Sequence, residues 1–215
     1  MKKVAIILSG CGVYDGSEIH EAVLCMLHLA RQGASYQCFA PDKPQGQVIN
    51  HITGEEEQIS RNVLVEAARI ARGDIKPLTE LNTADFDALL LPGGFGVAKN
   101  LSDFAAQGAD AQLDAHVLAA CKAFAAARKP AGYCCIAPIL IPRVYPAGVK
   151  GTIGTETGVA EAFTAMGGEH IGCVVTDVVE DSRYQVISTP AYMLAKTITE
   201  ADTGIGKLVK RLLEM

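Results

Sequence analysis

Seven cysteines and five histidines are spread through a chain of 215 residues, and few of them stand where covalent chemistry is easy. The best-placed thiol lies in Gly132-Tyr133-Cys134-Cys135-Ile136-Ala137-Pro138. A strand pattern ends there, and a second apolar segment, IAPILIP, opens with a proline suited to a first helical turn. This is the form of a nucleophile elbow, in which small residues around a sharp strand-to-helix turn hold the nucleophile above the sheet. Cys135 has the small Ala137 two residues on, whereas Cys134 has the bulky Ile136 there. Cys135 is therefore the better candidate, and Cys134 reads as the last buried residue of the strand. The positive end of the following helix is expected to lower the pKa of a thiol so placed. An inert, buried cysteine is the competing account.

Two further junctions carry residues of interest. Leu91-Pro92-Gly93-Gly94-Phe95-Gly96 follows an apolar run. Its glycines let a backbone N–H approach a ligand without Cβ obstruction, as an oxyanion hole requires, although a plain turn explains them equally well. The other junction, Gly10-Cys11-Gly12 with Gly16, has G-x-G-x-x-x-G spacing rather than the dinucleotide fingerprint. Glu18 and Glu21 stand where the next helix starts and would repel a phosphate. Three residues apart, they share one helix face. From spacing alone, solvated acids suited to the helix dipole are the simpler account. Desolvated in a crevice, such a pair pushes one pKa upward and leaves a protonated acid near neutral pH. Cys11, in the same loop, is an accessory candidate. His20, His28, His51, His116 and His170 show no metal-ligand spacing, and no metal is expected. His28 is expected to face outward. Only His170 follows Cys135, so a Cys-His-acid triad with its histidine shortly after the nucleophile is not visible.

The elements that must position these residues alternate between strand and helix patterns. Strands are predicted at Lys2–Leu8, Ser35–Pro41, Phe86–Gly94 (running into a turn) and Pro130–Cys134. Helices are predicted at Gly16–Gly33, Ser60–Gly73, Ala109–Arg128, Gly158–Gly168 and from about Met193 to Leu213. Ser17 is expected to cap the first helix, with Ile19, Val23, Met26 and Ala30 as its inner stripe. CVVTDVV and YQVIST flank the turn-like EDSR and read as a β-hairpin. Strands alternating with helices of this length predict an α/β fold: a mostly parallel sheet between two helical layers, with a small β-hairpin. Ligands in such sheets bind beyond the carboxyl ends of the strands, where strand order reverses. The three junctions above are strand ends of that kind.

Composition sets limits. At 49% hydrophobic and 20% charged residues, the chain is neither disordered, collagen-like nor a small disulfide scaffold. No linker or repeat divides it, so one domain is expected over residues 1–215. A net charge of −5 argues against nucleic-acid partners. Val4–Leu8, the longest N-terminal apolar run, is too short for a secretory h-region or a membrane span. An odd number of cysteines without a CxxC pair fits reduced thiols and a cytoplasmic protein. The C-terminal GIGKLVKRLLEM, with Lys207, Lys210 and Arg211, is read as a docking helix rather than a membrane-surface one.

The three strand ends, in this order, resemble the ThiJ/PfpI superfamily, relatives of class I glutamine amidotransferases. ILSGCGVYDGSEIHEAV, CFAPDK, VINHITGE, RNVLVEAARIARG, LLPGGFGVAKNLSDFA, CIAP, TIGT and TPAYMLA resemble one branch more closely, the ElbB-type glyoxalases, also called enhancing lycopene biosynthesis proteins. The likeness runs over essentially the whole chain. It implies a flavodoxin-like three-layer α/β/α sandwich and a nucleophile at Cys135. It also implies an acid on the first helix touching the thiol, mapped onto Glu21 with Glu18 one turn earlier, and oxyanion N–H groups at Gly94 and Ile136. Where wider relatives carry a histidine some twenty residues after the cysteine, this chain has GTIGTETG, which sets proteolysis and amidotransfer behind. The implied activity is a cofactor-independent conversion of glyoxal, with methylglyoxal a further substrate, to the 2-hydroxy acid through a cysteine hemithioacetal. The rivals are a non-catalytic regulatory or binding protein affecting isoprenoid biosynthesis and, behind it, an amidase or protease. The partners expected are a small dicarbonyl substrate and a second copy in a homodimer, with neither nucleic acid nor membrane.

Overall fold

A computed structural model describes residues 1–155 and 157–215. The strands are β1 (Lys3–Ile7), β2 (Ser35–Ala40), β3 (Ile75–Pro77), β4 (Ala88–Leu91), β5 (Ala131–Cys134), β6 (Lys150–Gly151), β7 (Glu169–His170), β8 (Val179–Asp181) and β9 (Val186–Thr189). Seven of them form one sheet in the order β3-β2-β1-β4-β5-β9-β8, while β6 and β7 make a separate small ladder. Every pairing in the large sheet is parallel except the β8–β9 hairpin. β1 and β4 are apolar and buried almost throughout, because helices cover both faces of the sheet.

The longer helices are α1 (Ile19–Arg31), α2 (Val63–Ile70), α5 (Ala115–Ala126), α7 (Thr157–Ala165) and α8 (Ile198–Glu214). Single turns form α3 (Gly96–Lys99), α4 (Phe104–Gln107) and α6 (Ile141–Val144). α1 packs against α2 and α8 on one face, and α5 packs with α6 on the other. The expected α/β/α sandwich of flavodoxin type is the observed fold. Strand order reverses between β1 and β4, which places the crevice at the ends of β1, β4 and β5.

Several boundaries differ from the sequence expectation, each for a local reason. Glu18, not Ser17, caps α1: its carboxylate accepts the Glu21 N–H at 2.7 Å. The Ser17 hydroxyl instead accepts the Ser9 N–H at 2.8 Å, tying the loop back to the end of β1. The inner face of α1 is rotated from the predicted stripe. Ile19 and Val23 are 42% and 46% exposed, while Glu21, Ala22, Cys25 and Leu29 are fully buried. The spacing rule sorted residues by polarity and so placed the buried carboxyl outside. His28 does not face solvent, because its ring meets Asp202 of α8 at 2.8 Å. α5 starts at Ala115, where Asp114 accepts the N–H groups of His116 and Val117, and a short 3-10 turn at Gly108–Asp110 precedes it. α8 starts at Ile198, capped by Thr197, and Ala191–Met193 is a separate 3-10 turn. Of CVVTDVV only Val179 lies in β8. IAPILIP forms a 3-10 turn, Ala137–Leu140, that runs into α6.

Candidate active site

Cys135 is the first residue after β5, and its backbone is left-handed with φ +59°. A non-glycine residue held there stores roughly 1–3 kcal/mol of strain. The strain is maintained from both sides. The Cys135 N–H donates to the Thr189 carbonyl of β9 at 2.9 Å. Cys134 is locked in the core, with its sulfur 3.8 Å from that of Cys25. The reading of Cys134 as the last strand residue, and of Cys135 as the one that turns out of the sheet, describes this geometry.

Glu21 lies beside the thiol, on the first turn of α1, and each group acts on the protonation of the other. Its carboxyl is fully buried, and both oxygens are held: Oε2 accepts the Gly93 N–H at 2.9 Å and Oε1 the Tyr192 N–H at 3.0 Å. Burial pushes its pKa up to about 8, and the negative charge of Glu18 adds to that, against the pull of the two N–H groups. The expectation of two solvated acids therefore gives way to two largely buried ones. Glu18 holds the Glu21 backbone and raises the carboxyl's pKa, but no hydrogen bond joins it to the sulfur.

The glycines after β4 let these groups meet. A Cβ on Gly93 would lie 2.4 Å from Cys135 Cβ and 2.6 Å from Glu21 Oε2. Gly94, at φ +98°, would drive a Cβ to within 2.3 Å of the Gly16 carbonyl oxygen. The N–H groups of Gly94 and Ile136 act on the Cys135 sulfur in favour of its thiolate. Burial and the neighbouring carboxylate outweigh them, so the thiol pKa lies well above its ordinary value. The expected lowering by a following helix is corrected here: the chain continues as a short 3-10 turn, and Cys135 is only 6% exposed. Thiol and carboxyl compete for protons and titrate as a pair.

Other sequence candidates fall away from this point. The charges acting on Cys11 are Glu66, Arg69, Asp15 and Arg61, not those beside Cys135, and burial raises its pKa. The glycine-rich loop spends its N–H groups internally, Gly16 on the Gly12 carbonyl and Gly12 on that of Ser17, rather than offering them to a phosphate. His20 bonds the Tyr192 hydroxyl, His51 the Ile49 carbonyl and His170 the Ile153 N–H. Among the described residues, no group of three or more His, Cys, Asp or Glu side chains is arranged to hold a metal ion. Glu156, inside the GTIGTETG segment, lies outside the described residues. Sequence reasoning missed Tyr192, whose N–H fixes Glu21, and the vacancy at Gly93. The glycine pair of PGG was the available signal for the second; nothing in TPAYMLA marked the first.

A strained thiol at the end of the fifth strand faces an acid from the first helix, and the relatives of the chain define its class as glutamine amidotransferase-like class 1. No protein-family model matches it. It is 48% identical over 223 residues to the "ES1 protein homolog, mitochondrial" of Rattus norvegicus, covering 99% of this chain and 84% of that protein. It is 47% identical to the human "Glutamine amidotransferase-like class 1 domain-containing protein 3, mitochondrial", covering 99% of this chain and 83% of the relative. A crystal structure from Ehrlichia chaffeensis, described as an isoprenoid biosynthesis protein with an amidotransferase-like domain, superposes with a TM-score of 0.94 at 38% identity. That match covers 100% of this chain and 99% of the other. The chain belongs to this family of ES1-type, glutamine amidotransferase-like class 1 proteins. Drosophila melanogaster DJ-1beta shares the fold at 16% identity and a TM-score of 0.56. The reading of the chain as cytoplasmic is overturned by these relatives, since the rat, human and zebrafish proteins are all named mitochondrial.

Proposed function

We propose that this protein is a cofactor-independent glyoxalase, of the ElbB type, acting on glyoxal and on methylglyoxal. The observation that carries this reading is the fully buried Glu21 carboxyl set beside the Cys135 thiol across the bare Cα of Gly93. The Cys135 thiolate forms a bond to the aldehyde carbon, and the aldehyde oxygen takes the Glu21 proton. The Gly94 and Ile136 N–H groups stabilise the oxyanion as it develops, an interaction worth about 3 kcal/mol per donor in other enzymes. Glu21, now a carboxylate, removes the hydrogen of the former aldehyde carbon as a proton, giving an enediolate. It returns that proton to the neighbouring carbon, while the hydroxyl proton shifts from the first oxygen to the second. One carbon is oxidised and its neighbour reduced by the same two electrons, so no external oxidant or reductant enters. The thioester that results is cleaved by water, which breaks the S–C bond, releases the 2-hydroxy acid and restores the thiol.

Glyoxal consumption and glycolate formation by the full chain test this. Cys135→Ala and Glu21→Ala proteins are expected to lose turnover, and either one converting glyoxal at the parent rate overturns the reading. Amidase or protease chemistry is less well supported, because it needs a base for the attacking water and His20, His28, His51 and His170 are bonded to other groups. A homodimer, and the mitochondrial setting of the animal relatives, are proposed with the activity.

A second reading, a non-catalytic regulatory protein of isoprenoid biosynthesis, is favoured by the description of the Ehrlichia relative. It is separated by function rather than by turnover. A Cys135→Ala protein that keeps full effect on isoprenoid output supports regulation, and one that loses it supports chemistry.

A further inference from the structure

A cavity larger than a two-carbon substrate needs is lined by the residues that follow the elbow and the glycine turn, though not by Cys135 itself. The cavity, of about 480 Å³, borders Ile136 and Phe95, the residues that directly follow Cys135 and Gly94. That volume falls in the range, roughly 300–1,000 Å³, of sites that enclose drug-sized ligands. Tyr14, Ala98, Phe104 and Ala105 complete most of the wall, and it is predominantly apolar. Lys99, the charged residue of the lining, is turned to structural use. Its ammonium donates to the Tyr14 carbonyl at 2.9 Å and lies 5.7 Å from the centre of the Phe95 ring. Phe95 is 45% exposed and offers its ring to this space.

The N–H groups of Gly94 and Ile136 fix the oxygen of a carbonyl bound at Cys135. The side chains of the next residue, Phe95, and of Ile136 itself flank the cavity. We propose that the site takes 2-oxoaldehydes bearing an aryl or extended alkyl group in preference to glyoxal, with the apolar group seated against Phe95, Phe104 and Ala105. The proposal rests on the glyoxalase reading. The bond changes are those given above, with the apolar group on the carbon that is reduced.

Phenylglyoxal and glyoxal, assayed with the full chain, test it, each kcat/KM being divided by the rate of the same aldehyde with free glutathione. Phenylglyoxal is expected to be favoured at least about tenfold, the scale on which apolar pockets discriminate. Ala105→Trp, at an exposed position of α4, fills the cavity from its rim and is expected to lower that ratio about tenfold or more. A parent ratio at or below one, or a ratio that Ala105→Trp leaves unmoved, overturns the assignment. Alkylation of Cys135 by N-phenyl iodoacetamide and by iodoacetamide gives a readout independent of turnover, again relative to glutathione. Preference for the phenyl reagent, lost in Ala105→Trp, supports the apolar subsite even if no dicarbonyl is converted, an outcome that removes the glyoxalase reading alone. Turnover of glyoxal with no preference in either assay leaves that reading standing and overturns the subsite.

Discussion

Glu21 and Cys135 meet across the bare Cα of Gly93. A methyl group on that carbon would sit 2.6 Å from Glu21 Oε2 and 2.9 Å from Cys135 Sγ, so the acid and the thiol are neighbours only because residue 93 has no side chain. Gly93 also donates its N–H to the same Oε2. Gly93→Ala must therefore push the two groups apart or break the bond that orients the acid. A displacement of about 1 Å at a reacting group costs on the order of a hundredfold in rate. Gly93→Ala protein with the parent far-UV spectrum is expected to lose that much in kcat/KM for glyoxal, and retention of the parent value would remove the pair from the chemistry.

The left-handed backbone of Cys135 yields a stability expectation. Alanine keeps the strain at φ +59° and glycine relieves it. Cys135→Gly is expected to be more stable than Cys135→Ala by about 1 kcal/mol, the scale of the left-handed penalty less the entropy glycine gains in the unfolded chain. Urea midpoints at a common m-value measure this. Equal midpoints would mean that the elbow is not strained.

Much of this arrangement could be read from the sequence because it is local. Glycines cluster at strand ends, and Ala137 rather than Ile136 follows the elbow by two, so the thiol that turns out of the sheet was identifiable. What could not be read is what depends on the partner surface. Polarity sorting puts Glu21 on the outside of α1, yet the residue is buried because the N–H groups of Gly93 and Tyr192, distant in sequence, satisfy both of its oxygens. The same blindness exposed His28, whose partner Asp202 lies on α8. The short β6–β7 ladder carries too few residues to show alternation. The thiol's raised pKa follows from enclosure and a neighbouring acid, neither of which residue types at the elbow encode.

Glu21 should make the protein less stable as pH rises. Its carboxyl titrates near its ordinary value, about 4.3, when unfolded and at about 8 when folded. Between those values the folded state holds a proton that the unfolded state has released, so unfolding becomes easier with increasing pH. The stability the group contributes is complete below the lower value and lost as pH passes the upper one. The slope is at most about 1.4 kcal/mol per pH unit. Urea unfolding at intervals from pH 5 to 8 is expected to show the decline, and Glu21→Ala to flatten it. A parent protein equally stable across that window would contradict a buried, proton-holding Glu21.

Activity should run the other way. With both protons bound, the pair offers a thiol and an acid but no nucleophile. One proton must leave before Cys135 can attack, while the one that remains serves the aldehyde oxygen. The loss occurs at about 8, where burial has driven the Glu21 carboxyl, so kcat/KM for glyoxal should climb with unit slope below that pH and level off above it. The opposite signs have one cause, because the desolvation that makes the charged form costly in the folded state is what holds a usable proton beside the sulfur. Measured from pH 5 to 9 on the parent chain, a profile that is flat, or that falls with pH through this range, would show that the proton shared by Glu21 and Cys135 plays no part in the rate.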